Sequence, residues 1–442
     1  MSPPHFVSFR PFRRSRHKFR PDFHSKENTM PFIWPWTRIS CPFCFEEFHL
    51  SEAPTRPSES KALFPDEKMR DFLGMTYPPE MPMAIEPHGS WLLRSVRKFH
   101  LPLCREVTPE SPIRICPKCH LYLPQALANW NRRSNIIAIV GSRSSGKSNY
   151  FGVLLKQLET RYAAELNFGF RPQMTFDVRE MRRMDSRKLY ERRYGQRLFR
   201  DHRVIQQTER SEVDADIKIP LIYRLTLSQT VRGKERLRAI DLVIFDAAGE
   251  DLSTMRNFHS FGRYALNASG IIVMVDPFRY PAIYRKLPPE IRNKIPAPDA
   301  IGGNPGEILD YYLSYKTNES ALRPDEKIKT PTALVLTKID MLRQILPRES
   351  QSLFQETNHS GGFNRKVCER KSDQILQFLT ENGAGDLAAN IRTQFETSSF
   401  FGVSALGAIP EGEAIPRQIR PINVVDPLLW ILHQLKYLNA RG

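Results

Sequence analysis

Two glycines, a lysine and a serine stand at the spacing G-x-x-x-x-G-K-S between residues 141 and 148. Glycines at these positions let successive backbone N–H groups point at phosphate oxygens, and a helix beginning there adds its positive end. Lys147 is placed to reach the β- and γ-phosphates, and Ser148 to hold Mg²⁺. The pattern predicts a phosphate-binding P-loop, whose nucleotide contacts are expected at Gly141, Ser142, Arg143, Ser144, Ser145, Gly146, Lys147, Ser148 and Asn149.

A second motif follows an apolar run further along the chain, as Asp246-Ala247-Ala248-Gly249. A carboxylate at this place holds Mg²⁺, usually through water, and the Gly249 N–H is placed to sense the γ-phosphate. Glu250 comes next in the chain. Because a carboxylate accepts but does not donate a hydrogen bond, we expect slow hydrolysis that a partner accelerates. Arg143 would add charge in cis or face solvent.

A third motif, Thr337-Lys338-Ile339-Asp340, follows the apolar run ALVL. An aspartate here accepts two hydrogen bonds, from the N1–H and the exocyclic amine of guanine, and adenine has no matching donor pair. The stem of Lys338 would cover the base. A backbone N–H of Ser404-Ala405 would reach the guanine carbonyl oxygen. Because the three motifs appear in this order, the sequence favours GTP and GDP over ATP.

Four of the six cysteines form two C-P-x-C pairs, Cys41 with Cys44 and Cys116 with Cys119. Each pair can place two thiolates on one turn, and two such knuckles complete a tetrahedral zinc site. The sequence therefore predicts a structural Zn²⁺ in a ribbon that carries a long insertion. Cys116 to His120 also matches the attachment motif of c-type haem, which is the weaker interpretation without an export signal.

The elements that must position these motifs are short apolar runs alternating with helical stretches, which predicts a mostly parallel sheet with crossover helices. A turn-like stretch at 231–234 suggests that two of the runs form a hairpin. A final helix is expected from Asp426-Pro427. The predicted strands are Ile136–Val140, Pro220–Ser228, Ala239–Asp246, Gly270–Asp276, Thr332–Thr337 and Phe400–Ser404.

The chain divides into a basic tail over 1–36, expected to be disordered, a cysteine-bearing module over 37–128, and a nucleotide domain over 129–442. Met30 is an alternative start. No apolar run reaches the length of a transmembrane helix and the first thirty residues do not form a secretory signal, so the expected compartment is the cytoplasm. The net charge of +17 permits an anionic partner. Residues 179–210 look like an amphipathic helix with a basic face, either solvated or contacting nucleic acid or lipid.

The motifs G-S-R-S-S-G-K-S, D-A-A-G-E-D, T-K-I-D and S-A-L resemble those of the TRAFAC class of P-loop GTPases. With the upstream C-P-x-C ribbon and the sequence F-D-A-A-G-E-D-L, the chain is similar to the second of the bacterial double-GTPase families. The resemblance implies a Ras-like α/β fold with a zinc ribbon. It also implies action beside a second GTPase and GAP-like or effector components, in multi-component systems such as those of biological conflict.

The switch I threonine of such proteins has no clear counterpart here. Thr208 is the first candidate and Thr175 the second, and either fits an ordinary loop residue equally well. Two other functions stay open beside a GTP-hydrolysing switch. One is a nucleic-acid-binding or assembly protein with a structural nucleotide site, and the other is an ATPase.

Overall fold

The computed structural model describes residues 38–57, 59–87, 112–124, 136–141, 144–205, 218–231, 234–246, 264–301, 306–320 and 326–441. Several sequence predictions fall outside these ranges: the basic tail, residues 88–111 of the insertion between the cysteine pairs, and the residues Ser142, Arg143, Thr208, Gly249 and Glu250.

The first part of the described chain consists of short antiparallel strand pairs and one helix. Asp66 caps that helix by accepting a hydrogen bond from Met69 N, and Gly74 ends it with a φ of 72°. Part of the insertion between the two cysteine pairs is therefore regular structure. The elements are β1 (Arg38–Ser40), β2 (Glu47–His49), β3 (Thr55–Pro57), β4 (Leu63–Pro65), α1 (Glu67–Leu73), β5 (Glu80–Pro82) and β6 (Pro112–Arg114), with pairs β1–β2, β3–β6 and β4–β5.

The strands of the larger part are β7 (Ile136–Gly141), β8 (Phe168–Pro172), β9 (Met174–Asp177), β10 (Arg182–Asp185), β11 (Leu221–Val231), β12 (Lys234–Ile244), β13 (Ala268–Val275), β14 (Thr332–Leu336), β15 (Phe363–Asn364), β16 (Ser398–Gly402) and β17 (Ala440–Arg441). All six predicted strands are present, and β11 and β12 pair as the expected hairpin with Val231 opposite Lys234.

The helices of this part are α2 (Lys147–Gln157), α3 (Ala163–Glu165), α4 (Ser186–Tyr190), α5 (Pro281–Lys286), α6 (Pro289–Arg292), α7 (Pro298–Ile301), α8 (Glu307–Ser320), α9 (Arg365–Glu381), α10 (Gly385–Gln394) and α11 (Asp426–Gln434). Leu158–Tyr162 and Glu191–Arg200 are π-helical, and Leu50–Glu52, Pro277–Arg279, Ile339–Gln344 and Arg348–Phe354 are 3₁₀ turns. Among the described residues no helix is both long and apolar enough to cross a membrane.

Four parallel strands form the sheet that positions the predicted motifs, in the order β16-β14-β13-β7. Every residue of β7 and β14 is buried, as expected for strands covered on both faces. The carboxyl ends of parallel strands meet at one edge, and ligands bind beside this edge in open α/β sheets. Gly141, Asp276, Thr337 and Ser404 all lie at or just beyond these ends.

An antiparallel sheet, β12-β11-β8, lies beside β7. The buried Tyr264 joins the two sheets, because its hydroxyl accepts a hydrogen bond from Ile139 N at 3.2 Å. The same oxygen lies 3.0 Å from the carbonyl oxygen of Ile137 in β7 and 3.2 Å from that of Val243 in β12. One side chain thus satisfies main-chain groups of both strands and holds the chain leading to Asp246 next to β7.

The predicted amphipathic helix over 179–210 is only partly correct. Its amino-terminal part is a hairpin of β9 and β10, so Met184 lies in a strand and Val178 and Met181 lie in the turn between the strands. The turn is stabilised by Arg179 N, which donates to Asp177 Oδ1 at 3.0 Å. Helical structure extends from 186 to 200 and buries Leu189 and Leu198, as the apolar spacing predicts.

Candidate phosphate-binding and metal sites

The four predicted zinc ligands come together although two of them are separated from the others by a long insertion. The sulfur atoms lie within 4.8 Å of one another, with 3.8 Å between Cys41 and Cys119 and 3.6 Å between Cys44 and Cys116. A tetrahedron with Zn–S bonds of about 2.3 Å has edges of about 3.8 Å. The group therefore has the donor set and the spacing that a metal ion such as zinc requires.

The two C-P-x-C turns have the same backbone geometry. Phe45 N donates to Cys41 O and His120 N donates to Cys116 O, both at 3.0 Å. Phe45 and His120 have φ values of 58° and 57°, so each turn ends in the left-handed region. Amide N–H groups within each turn donate to the first sulfur, which helps to stabilise a thiolate. The equivalence of the two turns supports a shared metal site.

A buried ionic cluster lies against the second turn. Asp66 pairs with Arg56, whose side chain is 1% exposed, and its Oδ2 lies 2.9 Å from His120 Nδ1. Burial alone would raise the pKa of Asp66, but the hydrogen bonds from His120, Met69 N and Arg56 lower it to about 2. The cluster connects the insertion to the residue that follows Cys119.

Replacing Asp66 with alanine should therefore destabilise the module strongly, because Arg56 is left as a buried charge without its partner. We expect a loss of about 3–5 kcal/mol in the free energy of unfolding, measured by chemical denaturation. Asp71→Ala is the matched control, since Asp71 pairs with Arg70 at the surface, where such a pair contributes about 0–1 kcal/mol. Equal effects of the two substitutions would contradict the importance of the buried cluster.

The first cysteine turn also packs on the sheet described above. The Phe45 ring contacts the rings of Phe245 and Tyr264, with centroids 5.9 and 5.2 Å away. Asn267 Nδ2 donates to the Phe45 carbonyl oxygen at 2.9 Å. Phe45 follows the metal ligand Cys44, and Phe245 precedes Asp246. The contact between their rings therefore connects the two candidate sites.

Gly141 and Gly146, the two glycines of the predicted loop, both lie at positions that favour glycine. A Cβ at Gly141 would lie 2.7 Å from the Met274 carbonyl oxygen of β13, so only glycine fits there. Gly146 has a φ of 82°, in the left-handed region that glycine adopts without the steric cost of a Cβ atom. Lys147 Nζ donates to the Gly141 carbonyl oxygen at 2.8 Å, which brings the ammonium group back across the loop. Ser144, with a φ of 60°, completes this bend.

Asp246 lies at this loop and is 7% exposed. Burial raises the pKa of its carboxyl group, and Lys147 and the Ser148 hydroxyl act in the opposite direction. Among the described residues, Asp246 Oδ1 and Ser145 Oγ are buried and have no hydrogen-bond partner. Leaving such atoms unpaired is costly, and both lie where the sequence predicts a phosphate and its cation. A carboxylate, a hydroxyl and a lysine around an N-terminal helix turn fit a phosphate with a divalent cation.

The Asn149 side chain has a partner within the protein, and its predicted nucleotide contact stays a prediction. Its Oδ1 accepts a hydrogen bond from Ile205 N at 3.1 Å. Ile205 ends the described part of the insertion between α2 and β11. Asn149 therefore anchors this insertion to the beginning of α2 through its side chain.

The residues predicted to recognise the base lie at the ends of β14 and β16. Lys338 has a φ of 56° and its ammonium group lies 2.6 Å from Asp276 Oδ2, which orients the turn after β14. Burial raises the pKa of Asp340, and a hydrogen bond from the Ser404 side chain acts against this. Thr337 bonds to the Val275 carbonyl oxygen of the neighbouring strand. The structure thus brings together Asp340 and Ser404, with Ala405 next in the chain.

One of the two candidates for the switch I threonine lies among the described residues. Thr175, the second candidate for the switch I threonine, is buried in β9, and its hydroxyl donates to the Pro220 carbonyl oxygen at 2.8 Å. That hydroxyl is thus used within the fold. Thr208, Gly249 and Glu250 lie outside the described residues, so their roles stay predictions.

Tyr194 is a site residue that the sequence analysis missed. Its hydroxyl donates to Asp246 Oδ2 at 2.9 Å. Tyrosine has no place in the motifs, and 52 residues separate the two partners. The sequence signal for a buried tyrosine here is the spacing of Tyr190 and Tyr194, which stand four residues apart in an arginine-rich stretch. The structure buries both side chains.

Many arginines around this stretch have intramolecular partners. Arg192 pairs with Asp177 at 3.2 Å, and Arg193 donates to the Ile219 carbonyl oxygen at 2.7 Å. Further pairs are Arg187–Glu159, Arg197–Glu413, Arg200–Glu191 and Arg203–Glu413. These contacts favour a solvated, self-paired face over a surface for nucleic acid in this part of the chain.

A second group of ligand-type side chains, His359, Cys368 and Asp426, is buried near the start of α11. His359 Nδ1 accepts from Asn364 N at 3.2 Å, so Nε2 donates to Asp426 Oδ1 at 3.1 Å. Both ring nitrogens are occupied. The group is therefore a hydrogen-bonded part of the core and not a metal site.

Comparisons with known proteins give distant similarities. The chain is 26% identical over 340 residues to a candidate ESX-1 scaffolding and assembly protein, SaeC, of Mycolicibacterium smegmatis, over 72% of this chain and 79% of that protein. No family model matches the chain. Two solved structures of the Ski7 GTPase-like domain of S. cerevisiae, bound to GTP or to GDP and inorganic phosphate, are 12% identical with a TM-score of 0.27. The match covers 68% of this chain and 50% of those chains, so the chain spans half of their length.

Proposed function

We propose that the protein is a guanine-nucleotide-binding switch of the P-loop GTPase type, with Ras-like topology in its nucleotide domain and a zinc ribbon before it. The observation that carries the proposal is a pair of buried atoms beside Lys147, Asp246 Oδ1 and Ser145 Oγ, which have no hydrogen-bond partner in the part of the chain that the structure describes. Three of the ordered sequence motifs lie at the carboxyl edge of one parallel sheet, where a nucleotide would extend from the loop at Gly141 to Asp340.

Each residue has a distinct task in this proposal. Gly141 and Gly146 shape the loop, and Lys147 holds the β- and γ-phosphates. Mg²⁺ would be held by Ser148 and, through water, by Asp246, and would supply neutralisation of the developing phosphate charge. Asp340 would pair with the guanine edge. Zn²⁺ would be held by Cys41, Cys44, Cys116 and Cys119 as a structural ion.

Hydrolysis of GTP to GDP and phosphate is the proposed reaction, and we expect it to be slow in the isolated protein. Glu250 and Thr208 are the proposed residues near the attacking water and the γ-phosphate, as the motif order indicates. A protein partner would accelerate the reaction, and a second GTPase or a GAP-like or effector component is the expected kind. The name of the SaeC relative supports an assembly role that depends on protein partners.

An assembly protein with a structural nucleotide site is the second candidate function, and the same relative favours it. The two candidates differ in turnover and not in nucleotide binding. Nucleic-acid binding is a weaker alternative, because arginines of the 179–210 region are paired within the protein. GTP turnover by the purified protein, measured with and without cell extract, separates the switch from the scaffold.

The proposed function is tested by calorimetric titration of the nucleotide-free protein with GDP, GTPγS and ATPγS in Mg²⁺. We expect binding of the guanine nucleotides alone. In Asp340→Asn the loss of the two guanine hydrogen bonds should weaken GDP binding by about 100-fold, without creating an adenine preference.

Asp373→Asn makes the same charge change on an exposed residue of α9 and should bind GDP normally. Equal binding of guanine and adenine nucleotides, before and after the Asp340 substitution, would rule out the assignment of the base site.

A further inference from the structure

Tyr194 holds one oxygen of Asp246 and leaves the other available. The hydroxyl donates to Oδ2, while Oδ1 has no hydrogen-bond partner among the described residues. Tyr194 is 2% exposed, so water does not compete easily for this hydrogen bond. A carboxylate fixed in this way can rotate little, and its free oxygen has a defined direction.

The segment that carries Tyr194 is tightly packed on α2. A Cβ at Gly152 would lie 2.4 Å from Leu198 Cδ1 and 3.2 Å from Tyr194 Cβ, so the two helices approach closely only because residue 152 is glycine. Tyr190 adds a hydrogen bond to the Gly152 carbonyl oxygen at 2.9 Å. Because α2 begins at the phosphate-binding loop, the segment and the loop are held in one rigid unit.

We propose that Tyr194 is a positioning residue that orients Asp246 toward the divalent cation of a bound nucleotide, and so makes the insertion between α2 and β11 part of the nucleotide site. This inference rests on the proposed function.

The inference predicts a specific effect of Tyr194→Phe, which keeps the ring and removes the hydroxyl. Without its donor Asp246 loses its fixed direction, and Mg²⁺ should stabilise bound nucleotide less. The experiment measures the dissociation rate of a fluorescent GDP analogue in Mg²⁺ and in EDTA. In the wild-type protein Mg²⁺ should slow dissociation, and in the variant this Mg²⁺ effect should fall about tenfold while the rate in EDTA is unchanged.

Tyr190→Phe is the matched control, since it removes a tyrosine hydroxyl from the adjoining helix α4 without touching Asp246. It should keep the full Mg²⁺ effect, and thermal unfolding of both variants reports whether packing has changed. An unchanged Mg²⁺ effect in Tyr194→Phe, or an equal loss in both variants, would overturn the inference. A wild-type protein that binds no guanine nucleotide would instead refute the proposed function itself, and the wild-type titration alone shows this.

Discussion

Replacing Cys41 and Cys44 together with serine is expected to remove bound zinc and to unfold the cysteine-bearing module. The two remaining thiolates do not complete a tetrahedral site. The folded state therefore loses the stabilisation that structural zinc binding provides, about 10–16 kcal/mol. This quantity is comparable to the whole stability of a domain, about 5–15 kcal/mol. Elemental analysis of the purified protein gives the zinc content, and calorimetric melting gives the loss of stability.

The same substitution should also lower the melting temperature of the nucleotide domain. Phe45 packs on Phe245 and Tyr264, and these contacts disappear when the turn after Cys44 is no longer held. Cys368→Ser serves as the control, because Cys368 is buried beside His359 and Asp426 and apart from the four cysteines of the ribbon. It should keep the full zinc content. Zinc that persists in the double variant, or is absent from the wild-type protein, would show that the tetracysteine assignment is wrong.

The parallel sheet was predictable from sequence because its strands are uninterrupted apolar runs. Ile136–Val140 and Thr332–Thr337 are buried on both faces, and a run of this kind followed by a polar motif has few alternative interpretations. The motifs were predictable because each follows such a strand, and a loop that binds a nucleotide at the end of a strand needs particular residue types at particular positions. Asp340 and Ser404 could thus be expected near each other before any geometry was known.

The insertion between α2 and β11 was less predictable because its elements are short. β9 and β10 have four residues each, and several of their arginines also fit the polar face of a helix. The choice between a hairpin and a helix depends on the turn at Asp177, whose carboxylate accepts a hydrogen bond from Arg179 N. Over such lengths local hydrogen bonds decide between strand and helix, and hydrophobic spacing does not.

The partners of the site residues were predictable least of all. Tyr194 can bind Asp246 because Gly152 of α2 permits a close approach of the helical segment that carries Tyr194. None of the sequence motifs includes the residues of this helix contact. Asn149 likewise has a partner distant in sequence, because its side chain accepts a hydrogen bond from Ile205 N, which its place next to Ser148 does not reveal. Tertiary contacts of this kind follow from packing between segments that are distant in sequence.

Lys147→Ala is expected to abolish measurable nucleotide binding. The ammonium group lies across the loop, 2.8 Å from the Gly141 carbonyl oxygen, and is 7% exposed, so it is already directed to the place of the phosphates. Hydrogen bonds of this charged group to two phosphates contribute about 1.5–3 kcal/mol each, which corresponds to a loss of affinity of about 100-fold or more. Calorimetric titration with GDP and GTPγS measures it.

Lys156→Ala separates the effect of position from that of charge. Lys156 lies near the other end of α2, with its ammonium group 5.8 Å from the centroid of the Phe199 ring, and its removal changes the net charge by the same amount. We expect normal nucleotide affinity in this variant and an unchanged zinc content in both. If the two lysine variants bound GDP equally well, the loop would not hold phosphate. The unpartnered atoms of Ser145 and Asp246 would then need a different ligand, one that does not depend on a positive charge at the beginning of α2.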